Sequence, residues 1–146
     1  MNSYPQRLSQ LIENFGLMKD NNERIALLMD YAGHFQEVPE RIATRPFPKE
    51  HQVPFCESEA YVWLEKQPDK RMQLYFAVEN PQGISAKALA TILNETLSGL
   101  PAEQIADISP DLVYKIFGRN ISMGKGQGLM AMVSMVRTVA RQLIQH

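Results

Sequence analysis

The sequence is poor in the residues that most often announce chemistry. Its 146 residues hold one cysteine, Cys56, and three histidines. One cysteine forbids an internal disulfide, and there is no Cys-x-x-Cys and no zinc-type Cys/His spacing. A lone thiol fits a reducing compartment, where it stays free. Charge of either sign is also scarce in excess. Lys and Arg number 15 against 16 Asp and Glu, a net charge of −1, so no general basic field exists to attract nucleic acid. Long apolar runs are missing. The longest nearly apolar stretch, Leu129 to Val136, contains Ser134 and ends at Arg137, far short of a membrane span. The opening residues Met-Asn-Ser-Tyr-Pro-Gln-Arg carry no apolar signal core. Together these set the expectation of a soluble, cytoplasmic chain that neither enters a membrane nor binds nucleic acid.

What is present is a chain 45% hydrophobic and 21% charged, a composition that suits one globular domain over 1–146. The stretch His51-Gln52-Val53-Pro54-Phe55-Cys56-Glu57-Ser58-Glu59 ends in a run that changes character. From there Ala60, Val62 and Leu64 alternate with Tyr61, Trp63 and Glu65, the period of a half-buried strand. Pro54 breaks regular structure just before the thiol. Cys56 thus sits in the turn that feeds a strand, and loops of this kind carry chemistry. Free cysteines are also commonly buried as small hydrophobes, so position alone leaves a structural role open.

The rest of the chain supplies helices on both sides of that strand. Leu8, Leu11, Ile12 and Phe15 make one apolar stripe after a start at Ser3-Tyr4-Pro5-Gln6, with Ser3 as cap. Ile25, Leu28, Met29 and Ala32 make a second, capped by Asn21 or Asn22. Residues 34–55 form a loop with four prolines, and an extended piece near 49–53 is expected to pair with the next strand. Strands over about 58–66 and 71–79 join at Pro68-Asp69. Met72, Leu74, Phe76 and Val78 give the hairpin one apolar face, expected to lie under the last helix, and the other face is more polar. Ser85 starts a helix with Leu89, Ile92, Leu93 and Leu97 inward. Ser109-Pro110-Asp111 starts another. A final helix from Gly124 buries Leu129, Met132, Val133, Val136, Val139, Ala140 and Leu143. The order α-α-β-β-α-α-α predicts an α+β fold: a small antiparallel sheet with helices from both ends of the chain packed on one face.

Gly124-Lys125-Gly126-Gln127-Gly128 lacks the spacing of a phosphate loop and reads as a flexible lead-in to the last helix. With Lys125 it makes a local positive spot at a helix N-terminus. His51, five residues before Cys56, is a candidate base or anion contact, although no third group to orient it is evident.

Three pieces then come together. Val53-Pro54-Phe55-Cys56-Glu57-Ser58-Glu59-Ala60-Tyr61 resembles the cysteine turn of the SufE family of sulfur acceptors. Gln127-Gly128-Leu129-Met130-Ala131-Met132 resembles the start of that family's last helix. The element order agrees over about residues 5–143. Phe55 stands where the family usually has Gly, and Ser122-Met123-Gly124-Lys125 aligns with Ser-Pro-Ser-Arg. The resemblance implies a protein without cofactor or metal. It implies that Cys56 takes persulfide sulfur from a pyridoxal-phosphate cysteine desulfurase, stimulates that enzyme and passes the sulfur to an iron–sulfur cluster scaffold. It also implies partner or anion contacts at Lys125 and Gln127, and His51, by its nearness to Cys56 in sequence, is expected to join them. The thiol is expected to shelter among apolar neighbours such as Phe55. The competing readings are a non-catalytic adaptor for the desulfurase or scaffold, and a cysteine-based hydrolase or redox sensor.

Overall fold

The structure is a computed structural model that describes residues 4–144. The first helix, α1 (Gln6–Gly16), follows its stripe: Leu8 and Phe15 are fully buried, and Leu11 and Ile12 pack against them. Pro5 occupies the residue before its first turn, and the expected cap Ser3 lies outside the described residues. Helix α2 (Asn21–Gly33) is capped by Asp20 rather than Asn21 or Asn22. The Asp20 carboxylate accepts the Asn22 backbone N–H at 3.0 Å. Its inward face also differs from the expected stripe. Ile25 and Met29 are exposed, while Leu27, Leu28 and Tyr31 meet the core.

Part of what docks α2 is polar. Arg24 donates to Phe15 O at 3.2 Å and to Ile116 O at 2.6 Å. A single guanidinium thereby serves the C-terminal carbonyls of two other helices, where the backbone dipole favours a cation.

Strands β1 (Ala60–Lys66) and β2 (Met72–Val78) pair antiparallel, with Ala60 opposite Val78 and Lys66 opposite Met72. The expected face is apolar and buried: Met72, Leu74, Phe76 and Val78 join Ala60 and Val62 in the main core. Its cover is shared, however. Helix α3 (Ile84–Leu97) lies over β2, while the last helix, α6 (Met123–Ile144), lies over β1. The β2 stripe is therefore not under the last helix as expected, because α3 follows β2 directly and folds straight back onto it.

The opposite sheet face is not the polar surface expected of it. Tyr61, Trp63, Tyr75 and Ala77 are covered by the proline-bearing loop, which brings Val38, Ile42, Ala43 and Phe47 onto them. The Phe47 ring lies 5.2 Å from Tyr61 and 5.3 Å from Trp63. The Val38 N–H donates to Phe76 O at 2.9 Å, and the Arg45–Glu79 pair at 2.8 Å fastens the loop further along. Within this loop, residues Lys49–His51 form a 3₁₀ turn, so the expected pairing of 49–53 shrinks to Gln52 and Val53 against Tyr61 and Ala60.

After α3 come a short helix, α4 (Ala102–Ile105), then α5 (Leu112–Phe117) and α6. Gly83, not Ser85, holds the cap position of α3. The Gly124–Gly128 segment is helical from the outset, with the Ser122 hydroxyl accepting the Lys125 N–H at 3.3 Å. The architecture is α+β, with the helices on one face of the hairpin and the loop on the other.

Candidate functional site: the Cys56 turn between two helix N-termini

The turn that carries Cys56 is fixed at both ends. Val53, 1% exposed, anchors its start, and the Val53 N–H donates to Ala60 O at 2.8 Å. At its end Glu59 N–H donates to Cys56 O at 3.1 Å, and the Asn80 N–H reaches back to Ser58 O at 3.1 Å. Reversing the chain in so few residues takes Phe55 and Glu59 into the left-handed region, at φ 61° and 52°.

Two glycines admit this turn between the helices. A Cβ on Gly128 of α6 would stand 3.0 Å from Phe55 O and 3.1 Å from Cys56 Cα. A Cβ on Gly83, before α3, would stand 2.9 Å from the Ser58 side chain and from Val78. These distances are below ordinary contact, so the turn's backbone approaches Gly128, and its Ser58 side chain approaches Gly83, more closely than a Cβ would let them without a shift. Gly128 is therefore a packing device, and the segment from Gly124 is the first turn of α6 and not a flexible lead-in. A buried Gly within a helix costs about 1 kcal/mol relative to Ala, and that cost was the sequence signal for a close approach here.

Cys56 is half-buried and packs against the main core. It opens on a cleft of about 220 Å³ whose walls are the turn, Gln82 to Ala86 at the start of α3, and Gly124, Lys125 and Gly128 of α6. The N-terminal ends of two helices thus converge on the thiol's cleft. Each end carries a partial positive charge, which favours an anion there. Lys125 adds a full charge and Glu57 brings an opposite one to the same cleft, but among the described residues no carboxylate forms an ion pair with Lys125. On its other side Cys56 meets a shallower, more open hollow lined by Lys49, Gln52 and Phe55.

The structure brings Cys56 and Lys125 to one cleft and leaves the other expected contacts outside it. Gln127 is exposed on α6 and does not line the cleft. His51 lies in the aromatic layer: its Nδ1 is 2.9 Å from Val62 O and its ring stacks on Trp63 at 5.1 Å. It lines neither hollow beside the thiol. Phe55 does not shelter the thiol either. Its ring is 80% exposed, and the cover comes from α6 through Gly128 instead. Ile84, Ser85 and the two glycines are site residues that periodicity alone did not reveal. A larger recess of about 400 Å³ lies between α2 and α3, where burial, with Glu95 and Asp30 nearby, pushes the Tyr31 hydroxyl above its ordinary pKa. No thiol lines it. Among the described residues no three metal-ligating side chains cluster, and no helix is long and apolar enough to cross a membrane.

The sequence profile of the SufE family, described as an Fe-S metabolism associated domain, matches residues 9–140, a span that contains the whole of this site. The chain belongs to the SufE family. It is 24% identical over 140 residues to "SufE-like protein 1, chloroplastic/mitochondrial" from Arabidopsis thaliana. That alignment covers 95% of this chain and 36% of the Arabidopsis protein, so the chain spans about a third of that relative's length. A solution structure of a hypothetical protein from Thermus thermophilus has the same fold, with a TM-score of 0.74 at 21% identity, covering 98% of this chain and 99% of the other. Membership of the SufE family places this chain in iron–sulfur metabolism.

Proposed function

We propose that the protein is a sulfur acceptor that takes persulfide sulfur onto Cys56 from a pyridoxal-phosphate cysteine desulfurase and hands it on to an iron–sulfur cluster scaffold. The observation that carries this reading is the placement of the single thiol. It rides on a tight turn between two helix N-termini, inside the span matched by the family profile.

The step balances without an oxidant. The Cys56 thiolate attacks the terminal sulfur of the donor's persulfide. A new S–S bond forms on Cys56, and the donor's S–S bond breaks with its electron pair leaving on the donor cysteine. The terminal sulfur keeps its proton, so a persulfide is consumed and a persulfide is made, by the chemistry of thiol–disulfide exchange. The chain has no second cysteine, so the product is not expelled as an internal disulfide. The helix N-termini and Lys125 at the cleft favour the attacking Cys56 thiolate and, once the new persulfide has lost its proton to water, the persulfide anion. Lys125 serves the donor's surface or that anion. A reducing compartment such as the cytoplasm keeps the receiving thiol free.

Incubation with a cysteine desulfurase and cysteine, followed by intact-mass measurement, tests the proposal. The expected result is a gain of one sulfur atom, removed by a thiol reductant and absent in Cys56→Ser. Equal sulfur loading of Cys56→Ser, or no loading of the native chain, would refute it.

A further inference from the structure

We propose that Phe55 is a docking anchor, the side chain by which this protein holds and selects its sulfur donor. This rests on the sulfur-acceptor reading above.

The argument begins with a residue that is badly placed for stability. Phe55 has φ 61°, in the left-handed region that a side chain with a Cβ disfavours and a glycine enters freely. The residue is 80% exposed, so its side chain buries little against the rest of the chain. Neighbouring contacts impose this conformation. The Phe55 carbonyl is pressed toward Gly128, Val53 is bonded to Ala60, and Cys56 to Glu59. With the carbonyl turned in against α6, the ring is left out in solvent. Neither the turn's geometry nor the core accounts for an aromatic here, since glycine would serve both better. Strain of this sort concentrates where a protein meets a ligand or partner.

The occupant follows from the chemistry at the next residue. For sulfur to pass, Cys56 Sγ must come to bonding distance of a sulfur held in another protein. The Cα atoms of Phe55 and Cys56 are one trans peptide, about 3.8 Å, apart. Cys56 and Phe55 also line the same open hollow, so a donor that reaches Cys56 from that side covers Phe55 as well. An exposed aromatic that becomes fully covered is the kind of side chain that dominates interface energies. One exposed apolar side chain lines the cleft, Ile84, 47% exposed at the head of α3, and Met123, 80% exposed, precedes the cleft-lining Gly124 at the head of α6. The partner is accordingly the persulfide-bearing desulfurase, presenting an apolar pocket beside its own reactive cysteine.

The test uses Phe55→Gly in the full chain, with Phe55→Leu as the conservative variant. Glycine relieves the left-handed strain, so the variant should melt at or above the native temperature, and a failure to fold is not anticipated. Sulfur loading is followed against acceptor concentration with a cysteine desulfurase of the same organism, and the Kd of the complex is measured directly. The expected result is a rise of tenfold or more in Kd and in half-saturating concentration for Phe55→Gly, with most of that loss recovered in Phe55→Leu. If the native chain loads with sulfur while Phe55→Gly binds and loads within twofold of it, the anchor is wrong and the acceptor reading stands. A fall in the saturating rate at unchanged half-saturation also overturns the anchor, because the ring then positions the thiol without holding the donor. A native chain that takes no sulfur overturns both.

Discussion

Two glycines of α6, two residues apart, face different neighbours, and this makes a stringent comparison. Replacing Gly126 with Ala puts a methyl 3.5 Å from the Tyr114 hydroxyl, an ordinary contact. The variant keeps the usual gain of Ala over Gly in a helix, about 1 kcal/mol. Replacing Gly128 with Ala offers the same gain but puts the methyl 3.0 Å from Phe55 O and 3.1 Å from Cys56 Cα. Ordinary contacts lie beyond 3.4 Å, so the turn must retreat by a few tenths of an ångström. Overpacking of this kind costs about 1–3 kcal/mol. The helix term cancels in the comparison, so Gly128→Ala should be less stable than Gly126→Ala by about 1–3 kcal/mol in denaturant titration. The displaced turn should also bare the thiol, so Cys56 should react several-fold faster with a small alkylating reagent in Gly128→Ala, and at the native rate in Gly126→Ala. Equal stabilisation of both variants with unchanged alkylation would mean that the cysteine turn does not rest on α6.

Phe76, 2% exposed beneath α3, should cost about 3–5 kcal/mol of unfolding free energy when cut to Ala, and a loss below about 1 kcal/mol would contradict its burial. Lys125 is exposed at the cleft, so Lys125→Ala should leave stability within about 0.5 kcal/mol while weakening the desulfurase complex and flattening its salt dependence. Unchanged binding at two salt levels would remove Lys125 from the interface. The Glu65 carboxyl is held below the ordinary glutamate range by the Gln67 amide first and then by Arg41. A lowered carboxyl stabilises the fold at pH above its unfolded value, and that contribution is lost as the pH falls through the lowered one. Glu65→Gln should therefore make melting temperature fall less steeply with acid, and an identical acid limb would exclude the effect.

The readability of the chain divides along physical lines. Element types followed from local periodicity: the α1 stripe is buried at Leu8 and Phe15, and Met72, Leu74, Phe76 and Val78 all face the core. The phase of α2 did not follow, because Ile25 to Met29 are five apolar residues in succession and such a run points to no single face. Its cap was ambiguous for a similar reason, since Asp20, Asn21 and Asn22 are all competent acceptors. Which helix covers which strand is a tertiary outcome that no stripe encodes. The second sheet face has a polar pattern in sequence, with Glu65, Gln73 and Glu79 among its aromatics, and the loop that covers it has no period of its own. At the site, the turn, the thiol and Lys125 were visible as residue types. The convergence of α3 and α6 on Cys56 was not, since it depends on contacts between residues as far apart as 56 and 128.

The chain's one tryptophan, Trp63, lies in the layer beneath the proline-bearing loop, on the sheet face opposite the one that α6 covers. Its emission is consequently an optical gauge of that layer by itself, read through Phe47, Tyr61 and the stacked His51. Helical circular dichroism reports the opposite side of the sheet. The two signals watch two hydrophobic layers that share only a pair of strands, so one unmodified chain carries separate spectroscopic channels for its loop and for its helices. Where the melting curves coincide, the hairpin transmits cooperativity between the layers. Where they part, the loop is a separately melting unit laid over a fold that persists without it.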